Sequence, residues 1–133
     1  MLTCKFGGSS LSCSANFQRA AAILAADSHR RCVVVSAPGR RNPQDEKLTD
    51  LLYACQSAAA QGRGFSALFG RVAGRYLEIA QGLGLRDIGP LLDEARAALR
   101  HASPARAASL GERLCAQLMG RYLNWAFVDG AEG

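Results

Sequence analysis

The sequence lacks a C-x-x-C pair, a basic-then-apolar leader, a long basic block and any apolar run long enough to cross a bilayer. Its five cysteines, Cys4, Cys13, Cys32, Cys55 and Cys115, are odd in number and scattered. That spacing argues against a zinc ribbon and against a disulfide framework, and suits small apolar side chains in a reducing compartment. With neither leader nor span, the expectation is a soluble cytoplasmic protein with no place in a membrane. Aromatics are only 7% of the chain and the arginines come in short pairs, Arg30-Arg31 and Arg40-Arg41, so the net charge of +5 does not form a nucleic-acid stripe. An anionic substrate such as a nucleotide, or a plain solvated surface, is left to account for it. Repeats, low-complexity tracts and a dividing linker are also missing, so the 133 residues read as one domain.

What is present is a chain with 49% hydrophobic residues, enough to bury a core. Residues 2–6 read as a short strand that stops at Gly7-Gly8. Polar residues from Ser9 to Ser14 offer a helix start, and Phe17, Ala20, Ala21 and Leu24 recur at helical spacing up to about Asp27. Cys32 to Val35 is a continuous, largely β-branched run, as expected of a strand covered on both faces. Strand, helix, strand makes a βαβ unit with a parallel sheet. Helices then follow over Lys47–Ala60, Phe65–Ala80, Leu91–Arg100, and from a Ser103-Pro104 opening to about Asn124. Phe127-Val128 reads as the start of a third strand. The fold class is therefore α/β, with the helix-rich stretch 46–124 inserted between strands.

Two strands end in small, polar residues: Lys5-Phe6-Gly7-Gly8-Ser9-Ser10 and Ser36-Ala37-Pro38-Gly39. In open α/β sheets, ligands bind beyond the carboxyl ends of the strands. Gly7 and Gly8 allow close backbone approach. Their N–H groups and the start of the next helix suit phosphate oxygens, with Lys5 for charge and Ser9 and Ser10 for hydroxyls. The G-x-x-x-x-G-K-[ST] loop is absent; here the lysine precedes the glycines, and an ordinary glycine turn also fits these residues. On the last helix, Leu114, Cys115, Leu118, Met119, Tyr122 and Leu123 form an apolar arc, and Glu112 falls inside it near Met119 and Leu123. A carboxylate facing the interior needs a partner, such as a bound ammonium group; at the arc's edge it would reach solvent or an arginine instead. Thr49 and Asp50 suit the cap of their helix, and a hydroxyl there also suits the rim beside Ser36. His29 and His101 stand alone and read as surface residues, and Tyr122, Trp125 and Phe127 as packing.

Four runs stand in order along the chain: Lys5–Leu11 (KFGGSSL), Val33–Gly39 (VVVSAPG), Lys47–Leu52 (KLTDLL) and Ser109–Leu114 (SLGERL). Tyr122-Leu123-Asn124 and Phe127-Val128-Asp129 follow. This series resembles the N-terminal half of the catalytic domain of aspartate kinases, within the amino-acid kinase superfamily, over essentially the whole chain. One such motif is weak; four in order are specific, beyond anything the fold class alone conveys. The resemblance implies an incomplete three-layer α/β/α fold, with residues 1–133 forming the N-terminal part of the catalytic domain and no ACT regulatory domain. It implies ATP-dependent phosphorylation, with Mg2+, of the L-aspartate side-chain carboxylate, the first step toward lysine, threonine and methionine. On matching positions, Lys5 would offset charge on the transferring phosphoryl group, and Gly7, Gly8 and Ser9 would hold phosphate oxygens. Ser36, Thr49 and Glu112 would hold aspartate, Glu112 near its α-ammonium; no residue is implied as a metal ligand. Family members continue into a second half that supplies the nucleotide-binding loops. The expectation is thus an exposed sheet edge, self-association or marginal stability, and no turnover by the 133 residues alone. The alternative is a non-catalytic remnant or split-enzyme half that pairs with a C-terminal half or another copy.

Overall fold

The computed structural model describes residues 2–125 and 127. Strand β1 (Leu2–Phe6) leads through a short 3-10 turn (Gly8–Leu11) into helix α1 (Ser14–Ala25), and the chain returns as β2 (Arg30–Val35). Four helices follow: α2 (Leu48–Ala60), α3 (Ser66–Gly82), α4 (Gly89–Leu99) and α5 (Pro104–Leu123). The strands pair in parallel, with Cys4 opposite Val33, Lys5 opposite Val34 and Phe6 opposite Val35.

The helix ends follow from local chemistry. Ser103 caps α5 by accepting the Arg106 N–H at 3.1 Å, with Pro104 at the first helical position. Gly62 and Gly84 take positive φ just past α2 and α3, where a side chain would be strained. The next residues close each motif, Arg63 N–H to Ala58 O at 2.8 Å and Leu85 N–H to Ala80 O at 2.9 Å. Asn124 does the same for α5, with Trp125 N–H reaching Gly120 O at 2.8 Å. The capping expectation for α2 is corrected. Lys47 is its N-cap residue and no side chain caps it; Thr49 and Asp50 lie inside the first turn.

The core joins all the helices. Phe17 from α1, Leu52 and Cys55 from α2, Val72 and Tyr76 from α3, Leu99 from α4 and Cys115 from α5 are completely buried. Each large apolar side chain of this kind contributes about 1.5–3 kcal/mol by leaving water. Val35 is buried in this core, and Phe6 and Val33 pack against it. The opposite face of the sheet is open among the described residues: Thr3, Lys5, Cys32 and Val34 are exposed. The expectation that β2 is covered on both faces is thereby corrected. Successive strand residues point to opposite faces, and the core of the described helices meets only the Val33–Val35 side. A third strand from Phe127-Val128 falls at the limit of the described residues: Phe127 lies in no strand and Val128 is outside them. Tyr122, Trp125 and Phe127 are half-buried, with the Arg113 guanidinium 5.3 Å from the Phe127 ring centroid.

Candidate functional site

The carboxyl ends of β1 and β2 carry two turns that touch backbone to backbone. The Ser36 N–H donates to Phe6 O at 3.1 Å, and the Gly39 N–H donates to Gly8 O at 2.8 Å. A Cβ on Gly8 would stand 2.9 Å from Ala37 O, and one on Gly39 would stand 2.7 Å from the Gly8 carbonyl carbon. Glycine is required at both positions because main chain, not a movable side chain, fills that space. Gly7 is different: a Cβ there would meet nothing within 4 Å, so the outer side of the turn is open to approach.

The predicted phosphate-side residues sit on this rim. Ser9 and Ser10 are exposed, and the Ser10 N–H closes the turn onto Gly7 O at 3.1 Å. Asn16 donates to Ser9 O at 3.2 Å and to Ser12 Oγ at 3.0 Å, anchoring the turn to α1. α1 begins at Ser14, at the end of the Ser9–Ser14 stretch expected to open it, and the 3-10 turn separates it from the glycines. Lys5 is exposed on the open sheet face, and its side chain makes no hydrogen bond or ion pair among the described residues.

The segments that carry the predicted aspartate-side residues meet at Gly111. A Cβ at Gly111 would lie 2.9 Å from Leu52 Cδ1 and 3.1 Å from Ala37 Cβ. Gly111 O accepts the hydroxyl of fully buried Tyr76 at 2.7 Å. This contact draws together the end of β2, the first turns of α2 and the middle of α5. Ser36 and Glu112 are the sequence neighbours of Ala37 and Gly111, and Thr49 shares a helix face with Leu52 three residues on. Ser36 and Thr49 are half-buried.

Glu112 is exposed, not interior. It lies just beyond Cys115 and Met119 at the margin of the buried arc, so the edge alternative is the one the structure adopts. Its charge still reaches inward. Burial pushes the Cys115 thiol well above its ordinary range, and Glu112 adds to that rise. Burial also raises the Tyr76 hydroxyl, with Cys115 and then Glu112 adding smaller increments. Cys115 and Cys55 are buried and unreactive by position, whereas Cys32 is exposed. His29 is exposed beside Asp27 at 3.1 Å, and His101 is exposed, as expected.

One group of residues escaped the sequence reading. Arg75 on α3 has a side chain only 6% exposed. It donates to Gly39 O at 2.7 Å and Ser12 O at 3.3 Å, and pairs with Asp45 Oδ2 at 3.3 Å. Arg41 holds the same carboxylate through Nε at 2.8 Å, Nη2 at 3.0 Å and its own backbone N–H at 3.0 Å, and reaches Glu78 at 2.9 Å. The available signal was positional: Arg75 lies between Val72 and Ile79 on the apolar stripe of α3, where an arginine needs a buried partner.

Arg41's hydrogen bonds hold the Asp45 carboxyl well below the usual carboxylate range, and Arg75 adds to the depression. A depressed carboxyl contributes stability that is present above its unfolded value of about 3.9 and lost as pH falls toward its folded value. The segment 37–46 is therefore expected to loosen first on acidification below about pH 4. Asp45→Ala should show the same loosening at neutral pH. Hydrogen exchange of the Arg41 amide reads both; an amide equally protected in the variant would contradict the assignment.

The Amino acid kinase family model matches residues 1–132. The chain is 41% identical over 85 residues to Aspartokinase 3 of Bacillus subtilis (strain 168), covering 64% of this chain and 19% of that one. The solved Clostridium acetobutylicum aspartate kinase superposes with a TM-score of 0.95 at 38% identity, over 99% of this chain and 31% of that one. The E. coli aspartokinase III complex with aspartate and ADP aligns at a TM-score of 0.66 and 24% identity, over 92% of this chain and 28% of that one, a likeness of fold. This chain thus spans about a fifth to a third of the length of these relatives. The glycine turn, the facing Ser36–Gly39 segment and the family match over nearly the whole sequence lead to one conclusion: the chain belongs to the amino acid kinase family.

Proposed function

We propose that this chain forms the phosphate turn and the aspartate-holding side of an aspartate kinase, as the N-terminal part of its catalytic domain. The reaction is transfer of the γ-phosphoryl group of ATP to the side-chain carboxylate of L-aspartate. A carboxylate oxygen forms the new O–P bond, the bond from the γ-phosphorus to the bridging oxygen breaks, and ADP leaves with that electron pair. The products are 4-phospho-L-aspartate and ADP. Such a transfer depends on positioning and charge stabilisation more than on covalent help from the protein.

The observation that supports this reading is the contact of Gly111 with Leu52 and Ala37, which joins α5 to α2 and to the end of β2 at the same sheet end as the open Gly7 turn. Lys5 offsets charge on the transferring group, while Gly7, Gly8 and Ser9 meet phosphate oxygens. Ser36 and Thr49 hold aspartate, and the exposed carboxylate of Glu112 takes its α-ammonium. The outer side of Gly7 is open, since a Cβ there would meet nothing within 4 Å. Magnesium, when bound, neutralises phosphate charge. Among the described residues no group of three His, Cys, Asp or Glu is placed to hold a metal, so no residue is assigned to it. No helix among the described residues is long and apolar enough to cross a membrane.

The resemblance puts the nucleotide-binding loops in a second half, and the chain covers 31% of the Clostridium acetobutylicum relative, so the 133 residues alone are expected to give no aspartate-dependent ADP release in a coupled assay. Turnover that disappears in Lys5→Ala would overturn that expectation. The second reading, a binding half that pairs with a complementary polypeptide or another copy, is favoured by the open sheet face, where Val34 is 47% exposed. Light scattering separates the two states: association supports pairing, and a monomer with a cooperative melt counts against it.

A further inference from the structure

We infer that Arg75 is a positioning residue that locks the two strand-end turns and the segment before α2 into one rigid unit. Three segments distant in sequence meet on its guanidinium. Ser12 follows directly on the 3-10 turn that bears Ser9 and Ser10, and its carbonyl accepts at 3.3 Å. Gly39 ends the segment that begins at Ser36, and its carbonyl accepts at 2.7 Å. Asp45 closes the polar loop that leads into the Thr49 turn, and its carboxylate lies 3.3 Å away.

The chemistry of the site argues for geometry over stability. Burying a guanidinium is costly, and Nε here is buried without a partner. Burial is also the main cause that lowers its proton affinity, with Asp45 opposing. An apolar side chain at the same place would avoid that cost. The fork, however, can grip two carbonyls and a carboxylate at once from a fixed plane, which neither an apolar group nor the single charge of lysine can do. Arg41 keeps Asp45 in place on its far side, so the carboxylate is an anchored partner and not a free loop residue. The clamp acts directly beside the Gly39–Gly8 hydrogen bond that joins the turns. Under the proposed kinase reading, on which this consequence rests, Arg75 sets the spacing between the phosphate turn and the aspartate-holding segment without touching either ligand.

The test is amide hydrogen exchange on the ligand-free chain and on Arg75→Met and Arg75→Lys, followed by titration with inorganic pyrophosphate and with L-aspartate. The expected result is exchange at Gly39 and Ser10 faster by about tenfold or more in both variants, while core amides such as Leu118 keep their protection. A merely structural arginine would accelerate all of them together, and that uniform change, or no change at Gly39 and Ser10, overturns the inference. Arg75→Lys serves where Arg75→Met does not fold. If the exchange changes as expected and the unmodified chain binds neither probe, the clamp stands and the kinase reading fails. If the unmodified chain binds a probe and the variants bind it weakly, both stand.

Discussion

Leu52→Ala is expected to destabilise the chain by about 2–5 kcal/mol, the usual cost of emptying a fully buried leucine site. Leu52 is 0% exposed and sits where α2 meets α5. Its Cδ1 occupies the space beside Gly111, and Ala37 fills the other flank. Backbone cannot easily move in to refill the gap, because Gly111 O is tied to the Tyr76 hydroxyl at 2.7 Å. The expected loss is a large share of the about 5–15 kcal/mol typical of a whole domain. A chemical melt of Leu52→Ala against Leu52→Met separates cavity from chemistry: the methionine variant should lose less than about 1.5 kcal/mol. Equal midpoints for both would mean that this contact is not where the core is tight.

Gly39→Ala is the second large effect. The added methyl would lie 2.7 Å from the Gly8 carbonyl carbon and 2.9 Å from its oxygen, closer than carbon atoms approach without displacement. The neighbours are main chain, so relief requires moving one turn away from the other. A stability loss of about 1–3 kcal/mol follows from such overpacking, together with loss of the Gly39–Gly8 hydrogen bond. Gly64→Ala is the matched control, since a methyl there meets nothing within 4 Å. Thermal melts of the two variants should diverge clearly. Similar melts would show that the turns are free to separate, and the shared rim would lose its physical basis.

Much of this architecture is legible in the residues themselves. The β-branched run ending at Val35, the apolar spacing through Phe17, Ala20 and Leu24, and the Ser103-Pro104 opening each dictate an element that the fold contains. Gly62 and Gly84 mark helix ends because only positive φ closes those motifs without strain. Glu112 was legible in place but not in environment. A helical wheel assigns angles, whereas burial depends on which neighbours reach the helix, and Glu112 lies just past the last that do. Val34 shows the same limit: β-branched sequence signals a strand but not whether both faces are covered. Arg75 and Asp45 were least legible, since an arginine in a helix and an aspartate in a polar loop ordinarily belong to solvent. Their pairing depends on a contact between α3 and a loop thirty residues earlier, which no local pattern encodes.

The central claim is that Ser36, Thr49 and Glu112 form one aspartate-binding rim. It is tested most directly by recording backbone amide spectra of the 133-residue chain during titration with L-aspartate. The account predicts saturable shifts clustered at Ser36, Ala37, Thr49, Gly111 and Glu112, with affinity reduced about tenfold or more in Glu112→Gln through loss of the charge that meets the α-ammonium. Absence of shifts at those amides at saturating aspartate, or equal affinity in Glu112→Gln, would contradict it.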